Sequence, residues 1–311
     1  MKTVAPRLEP HVVDALARVG RVGNLGKLAA RLDEVLREGI SRFSNVPAKI
    51  EFRLLTTRLQ DLGPDKRKAI VFLFAESAGW AGAFSQVHTL RAREMLLEIV
   101  SGLNEQRYTR VAFSARSLIE TAAIASCYAK DQAKNCAFLS AMTVGKLRRV
   151  SKSLNGDEVD QLGAAWTELR ETMTRGRFKW GATDWVDLAA SYKVDPKTSK
   201  HQVNVLTAIQ KLQFDEMGLA GGTAMFWFEL LSDFVHPNFG ASVLKIREFA
   251  RESKFIARHV YADPVPESDV GDVLVSFLMP PISNAVRIID ESLQPFRKAH
   301  SKATEVLASL G

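Results

Sequence analysis

The sequence predicts a mainly α-helical protein, a multi-helix bundle with one small β-hairpin. Apolar residues recur at helical spacing over most of the 311 residues, glycines and prolines separate these stretches, and strand-like alternation is confined to residues 242–261. The composition, 46% hydrophobic and 25% charged, is that of a folded globular protein. We expect a single helical unit of about ten helices over residues 1–311.

Three sequential parts are expected within this unit. They are an N-terminal helical subdomain over residues 1–105, a bundle over 106–240 and a C-terminal hairpin plus helix over 241–311. In chain order, the predicted helices cover residues 25–43, 48–62, an apolar stretch from 65 that contains Gly79 and Gly82, 90–103, 108–130, 131–154, 202–214 and 223–235. The two glycines either allow close helix approach or mark a break. The 108–130 helix is hydrophobic nearly all round and is expected to be central.

Residues 172–200 and the segment after Pro237 depart from the helical pattern. The first reads as a surface excursion with a short helix near 184–190, because its glycines and charges interrupt the periodicity. In the second, residues 242–249 and 254–261 alternate and flank a polar turn, which predicts the hairpin. A last helix over 268–300 is expected to bend at Pro280 and Pro281.

Several classes of protein are disfavoured by composition. The first residues lack the apolar core of a secretory signal, and the longest uncharged runs, 77–90 and 273–286, have 14 residues where a membrane span needs about 20. We therefore expect a cytoplasmic protein without membrane contact. Cys127 and Cys136 read as reduced core thiols. No cofactor fingerprint is present, and no cofactor or metal is expected, since only one carboxylate-x-x-histidine pair occurs where a di-metal bundle needs two.

The net charge of +7 is unevenly distributed along the chain. Residues 1–110 carry +6, residues 111–215 carry +4 and residues 216–311 carry −3. Such a distribution permits a polyanionic partner without requiring one.

Arg116 and Glu120 form the first candidate site. They lie four residues apart in an otherwise apolar helix, so they share a face that points to the interior or to a cleft. Two interpretations are open: a buried ion pair that fixes helix register, or a guanidinium that Glu120 orients towards a phosphate or carboxylate.

Glu229, Asp233 and His236 form the second candidate site. Their spacing places all three on one helix face, and Pro237 ends that helix directly after His236. His236 can act as an acid or base that Asp233 holds in place, or it can simply cap the helix.

The ARSLIE motif around Arg116 and the SDFVHPNFG motif around His236 carry a resemblance. Together they resemble uncharacterised bacterial helical proteins that are similar to the HEPN class, over roughly residues 110–240. This resemblance implies a helical bundle, often dimeric, with a role in defence or stress, and it suggests that Arg116, Glu120 and His236 lie near one another. The ribonucleases of the class carry an arginine closely followed by a histidine on one helix. Neither motif contains that pair, so RNA cleavage is not implied.

Residues 166–185 form the third candidate site, in which basic and aromatic side chains alternate. Arg175, Arg177, Lys179 and Trp180 combine cations for phosphates with a ring for an unpaired base, and Lys146, Arg148, Arg149 and Lys152 precede them in the chain. This pattern predicts contact with nucleic acid, although tryptophans in such a segment can equally serve packing.

The resulting hypothesis is a helical protein that binds RNA or another phosphate-bearing ligand, with Arg116 meeting the anion. The alternative is a non-enzymatic scaffold or adaptor in which both polar clusters are structural. A small-molecule enzyme has less support, and the sequence leaves open whether the protein is an enzyme. Expected partners are RNA or another polyanion and a second copy in a homodimer.

Overall fold

The computed structural model describes residues 6–19, 31–44, 66–153, 157–174, 204–215, 223–236, 246–261 and 269–310. These ranges contain ten helices and two strands: α1 (Pro10–Val19), α2 (Leu32–Arg42), α3 (Lys66–Asn104), α4 (Tyr108–Asp131), α5 (Ala133–Ala141), α6 (Val144–Ser153), α7 (Asp157–Thr174), α8 (Val205–Gln210), α9 (Ala224–Val235), β1 (Ile246–Arg251), β2 (Ala257–Tyr261) and α10 (Asp269–Ala308). The prediction of a mainly α-helical protein is confirmed.

Most predicted helices in the described ranges are present, with changes at their ends. α4 and α9 match their predicted ranges, and the Thr223 side chain caps α9 by accepting a hydrogen bond from the backbone N–H of Phe226. Residues 131–154 form two helices instead of one, because Met142 adopts an extended conformation after α5. α1 and α7 were not predicted. The predicted helices at 48–62 and 184–190 lie outside the described residues.

α3 is a single helix of 39 residues, so the glycines within it do not mark a break. At Gly82, an added Cβ would lie 2.6 Å from Nδ1 of His300. That ring nitrogen lies 2.9 Å from the carbonyl oxygen of Ala78, to which it donates a hydrogen bond. Gly82 therefore leaves room for a side chain of α10 to reach the α3 backbone, whereas a Cβ at Gly79 would meet no atom within 4 Å.

The chain divides into two compact units, each assembled from three separate segments. The first unit comprises residues 1–46, 89–124 and 205–290, and its core includes Leu36, Leu96, Leu118 and Trp227. The second comprises residues 47–88, 125–204 and 291–311. In its core the ring centroid of Phe84 lies 4.4 Å from that of Phe296 and 5.7 Å from that of Tyr128. The division into 1–105, 106–240 and 241–311 remains a prediction.

One helix in the described part of the chain, over residues 67–104, has the length and composition of a membrane span. However, 67% of its most apolar window is buried inside the protein. Burial of this kind is what the core helix of a globular unit requires. The apolar character of this helix is therefore explained by packing within the protein.

Residues 246–261 contain β1 and β2, which pair antiparallel from Ile246 with Tyr261 to Arg251 with Ala257. The turn between them is closed by the N–H groups of Glu252 and Ser253, which both donate to the carbonyl of Ile256. α10 continues through Pro280 and Pro281 and runs eight residues beyond its predicted end. The Asn284 side-chain amide donates to the carbonyl of Pro280 at 3.1 Å.

Candidate functional site

Arg116 lies in α4 with its guanidinium packed between an acidic and an aromatic side chain. Its Nε is 3.4 Å from Oε1 of Glu120, an ion-pair distance without hydrogen-bond geometry. Its Cζ lies 4.5 Å from the ring centroid of Phe228, within cation-π range. The Arg116 and Glu120 side chains are only 21% and 27% exposed. Arg116 therefore links α4 to α9 through its contact with Phe228.

The candidate site residues of α9 are exposed, whereas the ring that Arg116 contacts is buried. An α-helix turns about 100° per residue, which places His236 about 80° and Asp233 about 140° around α9 from Phe228. Glu229, Asp233 and His236 are all exposed, while Phe228 is buried. Arg116 therefore packs against the buried Phe228, while Asp233 and His236 are exposed on the same helix as that ring. That Arg116, Glu120, Asp233 and His236 form one site stays a prediction.

The outer face of α9 is chemically unsuited to a phosphate. Glu229 and Asp233 are exposed carboxylates on the same face as His236, and like charges repel a negatively charged ligand. The backbone N–H of His236 donates to the carbonyl of Ser232, so this residue serves as the C-cap of α9. Its catalytic role stays a prediction.

The predicted nucleic-acid residues Arg175, Arg177, Lys179 and Trp180 lie outside the described residues. The preceding helix α7 contributes Trp166, whose indole N–H donates to Oε2 of Glu76 at 2.8 Å. The Cζ of Arg170 lies 4.4 Å from the Trp166 ring centroid. Trp166 therefore packs within the second unit, which is the structural interpretation that the sequence left open for tryptophans in this segment.

The strongest concentration of exposed charge in the described residues of the second unit lies on α6. Its four cations, Lys146, Arg148, Arg149 and Lys152, are all exposed. Leu147, Val150 and Ser151 are 0%, 1% and 8% exposed and occupy the inner side. We call these four cations the basic face. The sequence carries this signal, since basic residues occupy four of the five exposed positions described in α6, around the inward Leu147 and Val150.

Cys136 is a buried thiol, and clustered metal ligands are absent from the described residues. Burial raises the pKa of the Cys136 thiol to about 12, so near neutral pH it stays protonated and is a poor nucleophile. Among the described residues, no group of three or more His, Cys, Asp or Glu side chains could hold a metal ion.

Comparison of the chain with protein-family models, curated proteins and solved structures gave no match.

Proposed function

We propose that this protein binds RNA through the basic face of α6. The observation that carries the proposal is that four of the five exposed residues described in this helix are cations, the fifth being Gly145, and that its sequence contains no acidic residue. Lysine and arginine side chains displace the counterions around a nucleic acid, which supplies most of the affinity in sequence-independent binding. Because the four cations are distributed around the exposed side of one short helix, they can contact successive phosphates of one RNA strand.

The ion pair that Arg149 of the basic face forms with Glu158 is weak enough for a phosphate to replace the carboxylate. Arg149 donates to Glu158 at 3.0 Å, but both side chains are well exposed, at 65% and 42%. Exposed ion pairs of this kind stabilise a protein by at most about 1 kcal/mol. A phosphate can therefore replace Glu158 as the partner of Arg149 at little energetic cost.

The aromatic segment extends this proposal along the chain. Arg175 follows the last residue of α7 directly, and Arg177, Lys179 and Trp180 come next in the sequence. Stacking of a base on an aromatic ring adds about 1–3 kcal/mol per base to single-strand binding. These residues are proposed to contact unpaired bases while the basic face holds the backbone.

The second candidate function is a non-enzymatic scaffold, in which Arg116, Glu120, Asp233 and His236 are structural residues. The specific observation is the packing of Arg116 on Phe228, which gives the ion pair a structural purpose. Scaffolding and RNA binding are compatible, so the proposal is of RNA binding without cleavage. The defence or stress role, the cytoplasmic location and the homodimer are parts of the proposal that follow from the sequence alone.

Fluorescence anisotropy with a labelled single-stranded RNA tests the proposal. The variant Lys146→Gln/Arg149→Gln/Lys152→Gln is expected to bind at least about tenfold more weakly, because three phosphate contacts are lost. Arg148 is kept because it lies at the edge of the basic face, next to the buried Ser151. The matched control, Lys130→Gln/Lys134→Gln/Lys298→Gln, removes three other exposed cations of the second unit. Equal weakening in both variants, or no binding by the unmodified protein, would refute the proposal.

A further inference from the structure

The second unit contains a cavity of about 500 Å³ beside the start of α3. Its wall is formed by the first turns of α3, by α6 and by Leu310, which follows α10. Cavities that hold small molecules have volumes of about 300–1,000 Å³, so this one is large enough for a ligand. Of the four cations of the basic face, only Arg148 also lines this cavity.

The lining is amphipathic along the length of α3. Val71 lies one turn after Arg67, and Phe72 lies one turn after Lys68, so two cations stand at one end of the cavity and hydrocarbon side chains at the other. The complete described lining consists of Arg67, Lys68, Val71, Phe72, Ala75, Leu147, Arg148, Ser151 and Leu310. Within it are three cations and no acidic side chain.

Arg148 and Ser151 are the polar residues that α6 contributes to the lining. The Ser151 hydroxyl already donates to the carbonyl of Arg148 at 2.9 Å, so it is satisfied within α6. The hydrocarbon end, formed by Val71, Phe72 and Ala75, offers no side-chain hydrogen-bonding group. A polar ligand placed there would lose its hydrogen bonds to water without replacement, which is costly.

The electrostatics of α3 favour a negative charge at the cationic end. Arg67 and Lys68 lie in the first turn of this helix, which contains no acidic residue. The helix dipole adds partial positive charge at the same end, where most helices instead place carboxylates. An anionic group here interacts favourably both with the side chains and with the helix terminus.

We infer that this cavity binds a single-chain amphiphile with an anionic head group, such as a fatty acid. The carboxylate or phosphate head lies against Arg67, Lys68 and Arg148, and the hydrocarbon chain lies against Val71, Phe72 and Leu147. A neutral chain gains nothing from the cations, and a nucleotide gains nothing from the hydrocarbon end.

Isothermal titration calorimetry with four twelve-carbon amphiphiles, each below its micelle concentration, tests this inference. Laurate and dodecyl phosphate carry anionic heads, dodecyltrimethylammonium a cationic head and dodecyl maltoside a neutral one. The two anions are expected to bind at one site and at least about tenfold more tightly than the other two, because opposite charges attract across the cationic end. A preference for laurate identifies a fatty acid as the ligand, and a preference for dodecyl phosphate identifies a phosphate-headed lipid. Equal binding of dodecyl maltoside and laurate would overturn the inference.

Two substitutions locate the site. Ala75→Leu fills the hydrocarbon end and is expected to weaken laurate binding at least about tenfold while the melting temperature stays unchanged, since leucine is also a good helix former. Arg148→Gln is expected to weaken laurate more than dodecyl maltoside, and Arg149→Gln, on the same helix but outside the lining, to leave both unchanged. Unaltered laurate binding by Ala75→Leu would place the ligand elsewhere. Because Ala75→Leu leaves the basic face intact, RNA binding and amphiphile binding can fail independently.

Discussion

At the scale of single residues, Arg116 shows how one guanidinium can serve packing in an apolar helix. Its Nε lies in ion-pair contact with Glu120, and its Cζ lies over the ring of Phe228. The aromatic ring belongs to α9, which lies more than one hundred residues later in the chain. The sequence predicted the ion pair from its spacing, but the contact with Phe228 could not be predicted, because no local pattern reports which ring faces an arginine.

Replacement of Arg116 by alanine is expected to lower the free energy of unfolding by about 1–3 kcal/mol, since it removes a cation-π contact and leaves a half-buried carboxylate without its partner. Chemical denaturation of Arg116→Ala, Phe228→Leu and the double variant measures the coupling. We expect a coupling energy of about 0.5–2 kcal/mol. Strictly additive effects would show that the ring and the guanidinium do not interact. RNA affinity is expected to stay unchanged in Arg116→Ala.

At the scale of elements, α3 and α10 show why two nearby glycines differ. The sequence left open whether Gly79 and Gly82 bring helices together or end one. The structure assigns close approach to Gly82, because the His300 ring passes over it to reach the carbonyl of Ala78. Gly79 has open space instead. Spacing within one segment cannot make this distinction, since it depends on a side chain more than two hundred residues away.

The two glycines therefore give a matched pair of alanine variants. Gly82→Ala is expected to lower the free energy of unfolding by about 1–3 kcal/mol, because the new methyl group displaces the His300 ring and breaks its hydrogen bond. Gly79→Ala is expected to raise it by about 0.5–1 kcal/mol through the higher helix propensity of alanine. Thermal or chemical denaturation measures both. Equal stabilisation by Gly79→Ala and Gly82→Ala would contradict the close contact between Gly82 and the His300 ring.

The helices α6 and α7 show which part of the predicted nucleic-acid contact lies within the described residues. In α6 the inward Leu147 and Val150 and the outward cations follow simple helical spacing, so its basic face was readable from the sequence. Arg175, Arg177, Lys179 and Trp180 follow α7 outside the described residues, so their contact with nucleic acid stays a prediction. For Trp166, at least, the aromatic ring packs within the second unit, and its indole N–H is bound by the carboxylate of Glu76.

At the scale of the whole molecule, hydrophobic periodicity predicted the helical class and most helices of the described ranges. It did not predict how they associate, since each compact unit combines three segments that are far apart in the chain. Long-range packing depends on the shapes of side chains that meet in three dimensions, which a local pattern does not contain. The same reason explains why the ring that Arg116 contacts, Phe228, was not predicted.

The net charge of +7 belongs to this scale as well, because it determines how the protein meets a polyanion. A positive net charge attracts nucleic acid at long range and accelerates encounter, while specific contacts determine where it binds. Charge removed anywhere weakens the long-range attraction, whereas charge removed from the contact surface also changes the number of displaced counterions. These two effects can be measured separately.

The most direct test is the salt dependence of RNA binding, measured as the slope of log K against log salt concentration for a single-stranded RNA. Each phosphate contact contributes about 0.7 to this slope, so Lys146→Gln/Arg149→Gln/Lys152→Gln is expected to reduce its magnitude by about 2, while Lys130→Gln/Lys134→Gln/Lys298→Gln leaves it unchanged. That result would identify the basic face of α6 as the surface that contacts the phosphates. Equal slopes for the unmodified protein and the α6 variant would contradict the account.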